Sequence, residues 1–277
     1  MQIDEMLPSL EIGRRVLAGE LIVWRRRPAL AALVTRADAL LRAGLDGDPL
    51  TAEARLAPED FIKRVRRLRA AFKTDSEINA TFKTALVECG LDSADCYWDP
   101  LQLRAVPGQA SHHARRILPL PAHRDNWGSN IPQQINWWSP LYPIAETRTI
   151  LFYPEYFAQA VANSSADWDF EELKRLMAEG KADHYPVLPV LTEELPARAA
   201  LPVVLEPGDM LAFSGQHLHG SIATDGKTRF SIESRTINLG HRDAGLAAPN
   251  VDGRAPRIVP DWFEHLTNGE NLGEIWR

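Results

Sequence analysis

A single change of texture, at about Leu91, narrows the possible folds more than any other feature of this chain. Before it, apolar residues recur at helical spacing; after it, short apolar stretches alternate with turn residues. The helical pattern from Leu10 to Leu45 breaks where Pro28, behind Arg25-Arg26-Arg27, starts a new helix. Pro58-Glu59-Asp60 opens an amphipathic helix with Phe61, Val65, Leu68 and Phe72 on one stripe. Thr74-Asp75-Ser76-Glu77 caps a further helix, which runs to about Cys89 and stops at Gly90.

Downstream, Tyr97 to Val106 reads as a strand interrupted at Pro100, and Pro107 to Arg116 as a polar loop. Gln133 to Leu141 and Thr149 to Tyr153 are strands, and Asp169 to Glu179 is a helix inside an insertion from Pro154 to Arg198. Leu201 to Leu205, the turn Glu206-Pro207-Gly208-Asp209 and Met210 to Phe213 give strand, turn, strand. Asp225-Gly226 signals a hairpin before the strand Thr228 to Leu239. This order predicts an α+β fold: a double-stranded β-helix (jelly-roll, cupin-like) core with an N-terminal helical layer. One domain is expected over 1–277, with helices to 91, core over 92–241, insertion 154–198 and a C-terminal extension 242–277. The helical layer and the insertion are expected to act as lids over the barrel.

With 277 residues and a formal net charge of -6, the chain can bury a full core and has no general attraction for nucleic acid or anionic membrane. No apolar run is long enough to span a bilayer, and the first 25 residues lack the apolar core of a signal peptide. Two cysteines, Cys89 and Cys96, give neither a disulfide framework nor paired zinc spacing. A cytoplasmic location is expected.

Within this frame, His123-Arg124-Asp125 is answered by His217-Leu218-His219-Gly220-Ser221. Two imidazoles and one carboxylate can occupy one face of an octahedral ion and leave the other open, the ligand set of non-haem Fe(II). His123 and Asp125 are two apart, so an extended segment points both the same way. A lone HxD motif is common; the downstream half gives it weight. His217 and His219 would share a strand face, so periodicity does not separate them. His219 is taken as the ligand because Gly220-Ser221 permits close approach beside a metal, and His217 is placed at the mouth or in a hydrogen bond behind the ligands. Along the last strand Arg229, Ser231, Glu233 and Arg235 share one face. Facing inward, a guanidinium there would fork onto a carboxylate; Arg229 is the first candidate and Arg235 the second. Arg104, Arg124 and Arg148 are further candidates for a substrate carboxylate.

The stretch from about Leu118 to Asn238 resembles the phytanoyl-CoA dioxygenase-like branch of the Fe(II)/2-oxoglutarate oxygenases, through His123-Arg124-Asp125, His219-Gly220-Ser221 and Arg229. The resemblance implies iron at His123, Asp125 and His219, and 2-oxoglutarate held by the arginine. It also places Trp138 and Asn136 beside that co-substrate. The implied reaction consumes O2, releases succinate and CO2, and oxidises a C–H bond of a small molecule by hydroxylation, desaturation or ring formation. An amino acid or a natural-product intermediate is the expected substrate. The carboxylate of Asp125 argues against halogenation, since related halogenases lack it. Trp98, Trp127, Trp137 and Trp138 are expected as dry walls. Two departures stand out: Tyr153-Pro154-Glu155-Tyr156-Phe157 replaces the family's Pro-Gly-Ser-His segment, and the turn from His219 to Arg229 is shorter by one residue.

Two rival readings are kept. A cupin-like metal enzyme that does not use 2-oxoglutarate would keep the histidines and not need Arg229. A nucleic-acid-binding protein would rest on Lys63-Arg64-Val65-Arg66-Arg67-Leu68-Arg69, which reads better as the polar side of the Phe61–Phe72 stripe. His112-His113 reads as solvated loop, and His241 and His265 have no ligand-like companions.

Overall fold

The computed structural model describes residues 2–196 and 200–276, so the end of the expected insertion, at Arg198, lies outside the described residues. The N-terminal part holds β1 (Gln2–Ile3), α1 (Ser9–Leu17), β2 (Ile22–Trp24), α2 (Pro28–Gly44), α3 (Ala52–Arg55), α4 (Pro58–Thr74) and α5 (Ser76–Cys89). The barrel follows with β3 (Cys96–Trp98), β4 (Gln102–Val106), α6 (Asn126–Ser129), β5 (Ile135–Pro140) and β6 (Arg148–Phe152). Then come α7 (Phe170–Ala178), β7 (Leu201–Val203), β8 (Met210–Ser214), β9 (His219–Ala223) and β10 (Arg229–Asn238). Finally, α8 (Leu239–Asp243), β11 (Glu264–His265) and α9 (Leu272–Ile275) close the chain.

Two sheets face each other. The larger runs β1-β2-β8-β5-β10-β3-β11, with β4 also on β10, and the smaller runs β7-β6-β9. This is the expected α+β double-stranded β-helix. Strands β3 and β4 pair antiparallel with successive parts of β10, as one strand interrupted around Pro100. Helices α2 and α5 pack together and α4 lies on β4, forming the predicted helical layer.

Local rules account for these elements. Proline opens α2 and α4 at the first helical position, where its missing N–H costs nothing. The carboxylate of Asp75 caps α5 by accepting from the Ile78 N–H at 2.9 Å. Gly90 ends it at φ 105°, and a Cβ there would lie 1.8 Å from the carbonyl oxygen of Leu7. The N-terminal part is not wholly helical, however. Ile22–Trp24, read as part of a helical run, extends the larger sheet against β8. Three consecutive buried residues have no periodicity that separates strand from helix.

Alternation along the strands divides the apolar residues into two cores. Ile135, Trp137, Met210, Ala212, Phe230 and Ile232 face the helices and join Phe61, Val65, Leu68 and Phe72. Trp138, Ile150, Phe152, Leu205, Leu211 and Phe213 fill the barrel between the sheets. Trp98 and Trp127 therefore do not wall the barrel: Trp98 packs on Phe82, and Trp127 joins Val161 and Leu218. No helix among the described residues is long and apolar enough to cross a membrane.

Gly90→Ala is expected to destabilise the protein by roughly 1–3 kcal/mol, because the site demands both positive φ and the absence of a Cβ. Urea unfolding of the two proteins side by side checks this; an unchanged midpoint would remove the turn from the account of the helical layer.

Candidate metal centre

The backbone brings the two histidines together. His123 and His219 form an isolated antiparallel bridge in which each N–H donates to the other's carbonyl, at 2.8 and 3.0 Å. Their rings sit 4.4 Å apart. The neighbouring Ser221 N–H donates to the carbonyl of Leu120 at 2.9 Å, extending the contact along β9. Gly220 makes this approach possible, since a Cβ there would meet the Leu120 oxygen and the Ala122 nitrogen at 3.3 Å. Its small size serves the approach of backbone to backbone.

Asp125 arrives by a different route from the one read in the sequence. It is not extended but adopts a right-handed helical conformation (φ -69°, ψ -30°) and precedes α6. That turn brings its carboxylate back, with Oδ1 3.6 Å from Nε2 of His123. His123, Asp125 and His219 each offer one ligand atom, and these atoms lie within 4.8 Å of one another. Among the described residues, this is the one such group of His, Cys, Asp and Glu side chains able to hold an ion.

Each ligand is oriented from behind. Nδ1 of His123 donates to the Pro121 carbonyl at 2.8 Å, and Nδ1 of His219 to the His217 carbonyl at 3.0 Å. Both rings thus present a bare Nε2 to the shared space. Asn136 donates to Oδ2 of Asp125 at 2.6 Å and is itself fixed by Gln134 at 2.7 Å. Arg235 donates to Oδ2 at 3.3 Å and to Oδ1 at 3.4 Å, and to Asp99 at 2.8 Å. Burial alone would raise the Asp125 pKa, but Arg235 and then His123 overcome it and hold the carboxyl well below its usual range. Burial, and then the proximity of His123, lowers His219 to about 3, so its imidazole is neutral at physiological pH. An ionised carboxylate and a neutral imidazole are the protonation states that a divalent metal requires. The donor set fits one: two imidazole nitrogens and a carboxylate oxygen lie within 4.8 Å of one another, all buried.

A second constellation lies in the same cavity. The side chain of Arg229 is fully buried, donating to the Thr149 carbonyl at 2.6 Å and to the Ser221 hydroxyl at 3.2 Å, 5.7 Å from the ring centre of Trp138. It has no carboxylate partner among the described residues. Its Nε, the Trp138 indole N–H and the Ser231 hydroxyl are all buried without a hydrogen bond. Burial, and then neighbouring Arg104, pushes the Arg229 pKa down to about 9, as expected for a cation without a counter-ion. Unmatched buried donors are costly, and an anion supplied from outside would satisfy them.

Several expected roles are refined or corrected. Asn136 and Arg235 line the cavity, and both are engaged with Asp125. His217 stands behind His219 through its main-chain carbonyl, as one of the two expected placements has it, while its ring points elsewhere. It sits in the turn before β9, accepts from the Ser214 N–H at 3.1 Å and reaches the Gly19 carbonyl at 3.1 Å, against Phe157. Only its backbone touches His219. Arg124 is buried on Asp252 and Arg148 is paired with Asp225, leaving Arg104 alone of the three beside the cavity. His112 is buried against Phe61 and not solvated. Asp99 and Gln134, which position Arg235 and Asn136, carry no sequence signal of their own.

No family model and no curated protein matches the chain. Similar solved structures include EvdO2 from Micromonospora carbonacea var. aurantiaca, at 13% identity and TM-score 0.48, over 86% of this chain and 94% of that one. Another is the epimerase SnoN in complex with Fe3+, alpha ketoglutarate and nogalamycin RO, at 14% identity and TM-score 0.43, over 83% of each chain. EctD from S. alaskensis with bound Fe is similar at 14% identity and TM-score 0.40, over 92% of this chain and 84% of that one.

Asn136→Ala removes one hydrogen bond from Asp125 and is expected to weaken divalent-metal binding by roughly 10–100-fold. His217→Gln is expected to lower stability and leave metal stoichiometry at one. Anaerobic titration with Fe(II), read by calorimetry, checks both; loss of the ion in His217→Gln would reverse the assignment of the two histidines.

Proposed function

We propose that this chain is a non-haem Fe(II)/2-oxoglutarate-dependent dioxygenase that oxidises a C–H bond of a small molecule. Hydroxylation, desaturation and ring formation all fall within that chemistry. The observation that carries the reading is one cavity lined both by a bare His-Asp-His face and by a buried guanidinium without a counter-ion. Bound together, iron and 2-oxoglutarate supply the O2-dependent oxidation, with release of succinate and CO2.

The protein's part is positioning. His123, Asp125 and His219 hold one face of the ion, and Arg229 takes the distal carboxylate of 2-oxoglutarate, with the Ser231 hydroxyl and the Trp138 N–H as additional donors. Arg235 and Asn136 keep Asp125 ionised and aligned. Phe152 and Phe213 pack against the His219 ring, at 5.9 and 4.9 Å between centres, and keep water from that side. A cupin-like metal enzyme that does not use 2-oxoglutarate accounts for the histidines, yet it leaves the Arg229 donors unexplained.

Anaerobic protein mixed with Fe(II) and 2-oxoglutarate is expected to develop the weak visible charge-transfer band of the chelate. Arg229→Ala should raise the half-saturating 2-oxoglutarate at least about tenfold, the loss of a charge-assisted pair, with Fe(II) stoichiometry unchanged. Iron uptake without the band, or an unchanged Arg229→Ala variant, would favour the cupin-like rival.

A further inference from the structure

A second, larger cavity of about 470 Å3 adjoins the metal centre, with Arg104, Leu120, Asp125, Glu233 and Arg235 lining both spaces. Its walls come from α4, the loop before the metal motif, the insertion around α7 and the C-terminal extension. Two of its arginines are conspicuous. Arg69 and Arg116, both half-buried, have no carboxylate partner among the described residues, and Nε of Arg116 is buried without any hydrogen bond. Arg69 donates instead to the Arg116 carbonyl, at 3.0 Å. Arg116 sits at φ 63°, a conformation that non-glycine residues seldom adopt, in the turn closed by the Ala114–Ile117 bridge. Arg104, the third, has only a loose contact of 3.6 Å with Glu233.

Glu233 is the acid in contact with Arg104, and no acid on the cavity forms an ion pair with Arg69 or Arg116 among the described residues. Asp99 and Asp125 are taken by Arg235, while Asp261 and Glu264 border it from the C-terminal extension. Like-charged guanidiniums gathered in a partly dry space oppose one another and lose hydration. Burial, followed by the fields of Arg104 and Arg116, depresses Arg69 to about 10. An incoming anion would relieve both penalties. One stretch of wall is apolar, with Phe170, Leu173, Val187, Leu188 and Trp262, while Lys73, Gln102 and Asn271 add polar groups elsewhere.

We propose that the oxidised substrate is an amphipathic anion whose carboxylate or phosphate group seats on Arg69, Arg104 and Arg116, with its apolar body on the Phe170–Trp262 wall. The inference deepens the oxygenase reading and rests on it for the word substrate, although the anion site itself does not require 2-oxoglutarate. Arg69 and Arg116 stand outside the set assigned to metal and co-substrate. They are specificity residues.

Three probes of one shape test the proposal: 3-phenylpropanoate, 3-phenylpropyl phosphate and uncharged 3-phenylpropanol, each titrated by calorimetry into the full chain with and without Fe(II) and 2-oxoglutarate. At least one anion is expected to bind about tenfold or more tightly than the alcohol, and the better of the two tells carboxylate from phosphate. That preference should shrink as salt is raised, which needs no variant. Arg69→Gln and Arg116→Gln should each weaken the anion about tenfold and leave the chelate band unchanged, and Arg69→Lys should restore part of the loss. Equal binding of alcohol and anions, or anion binding indifferent to both glutamine variants, overturns the proposal. Absence of the chelate band with anion binding intact would instead overturn the oxygenase reading alone.

Discussion

The metal centre depends on a reciprocal pair of backbone hydrogen bonds between His123 and His219. The two residues come from opposite ends of the barrel's sequence, and no side-chain interaction could set their spacing so firmly. Because strand β9 is already fixed in the smaller sheet by β6, the bridge transfers that rigidity to the loop carrying the HxD motif. Side chains are then oriented from behind by carbonyls of the same two segments. A site built in this way is held by rigid elements and not by its ligands alone.

Electrostatics then divide two arginines on one face of β10. Arg235, gripped by Asp99 and Asp125, has its charge matched, and burial is outweighed so that its guanidinium holds its proton more firmly than usual. Arg229, six residues earlier, is more deeply buried but meets only neutral oxygens and the face of an indole. One arginine neutralises the Asp125 carboxylate, and the other has no carboxylate partner among the described residues. This division follows from which partners stand opposite. Asn136 faces Arg235 across β5, whereas Val106 and Thr149 lie beside Arg229.

Much of this was legible in the sequence because it rests on local rules. Proline at the start of α2 and α4, the Asp75 cap and Gly90 stop of α5, and the stripe Phe61-Val65-Leu68-Phe72 need only nearby residues to be recognised. The inward face of Arg229, Glu233 and Arg235 follows from the period of a strand. What stayed hidden depends on tertiary contact. Ile22–Trp24 becomes a strand only because β8 offers an edge. His217 and His219 look equivalent until the turn at Gly215-Gln216 removes the first from the strand. Arg124 sits between two ligands and looks available to a substrate, yet its side chain turns away into the protein. Asp99, Gln134, Arg69 and Arg116 gain their roles from neighbours distant along the chain, which periodicity does not reveal.

That turned-away Arg124 has a consequence for how the molecule holds together over time. Its guanidinium donates to Asp252 and to the carbonyls of Gln216, Tyr156 and Gln159, while Asp252 also accepts from Trp127 and from the Val161 N–H. The centre of the HxD motif is thereby knotted to the insertion and to the C-terminal extension through one carboxylate. The residues on either side of Arg124 are the imidazole His123 and the carboxylate Asp125. The extension that reads as an appendage in the sequence is thus part of the network that anchors the HxD motif.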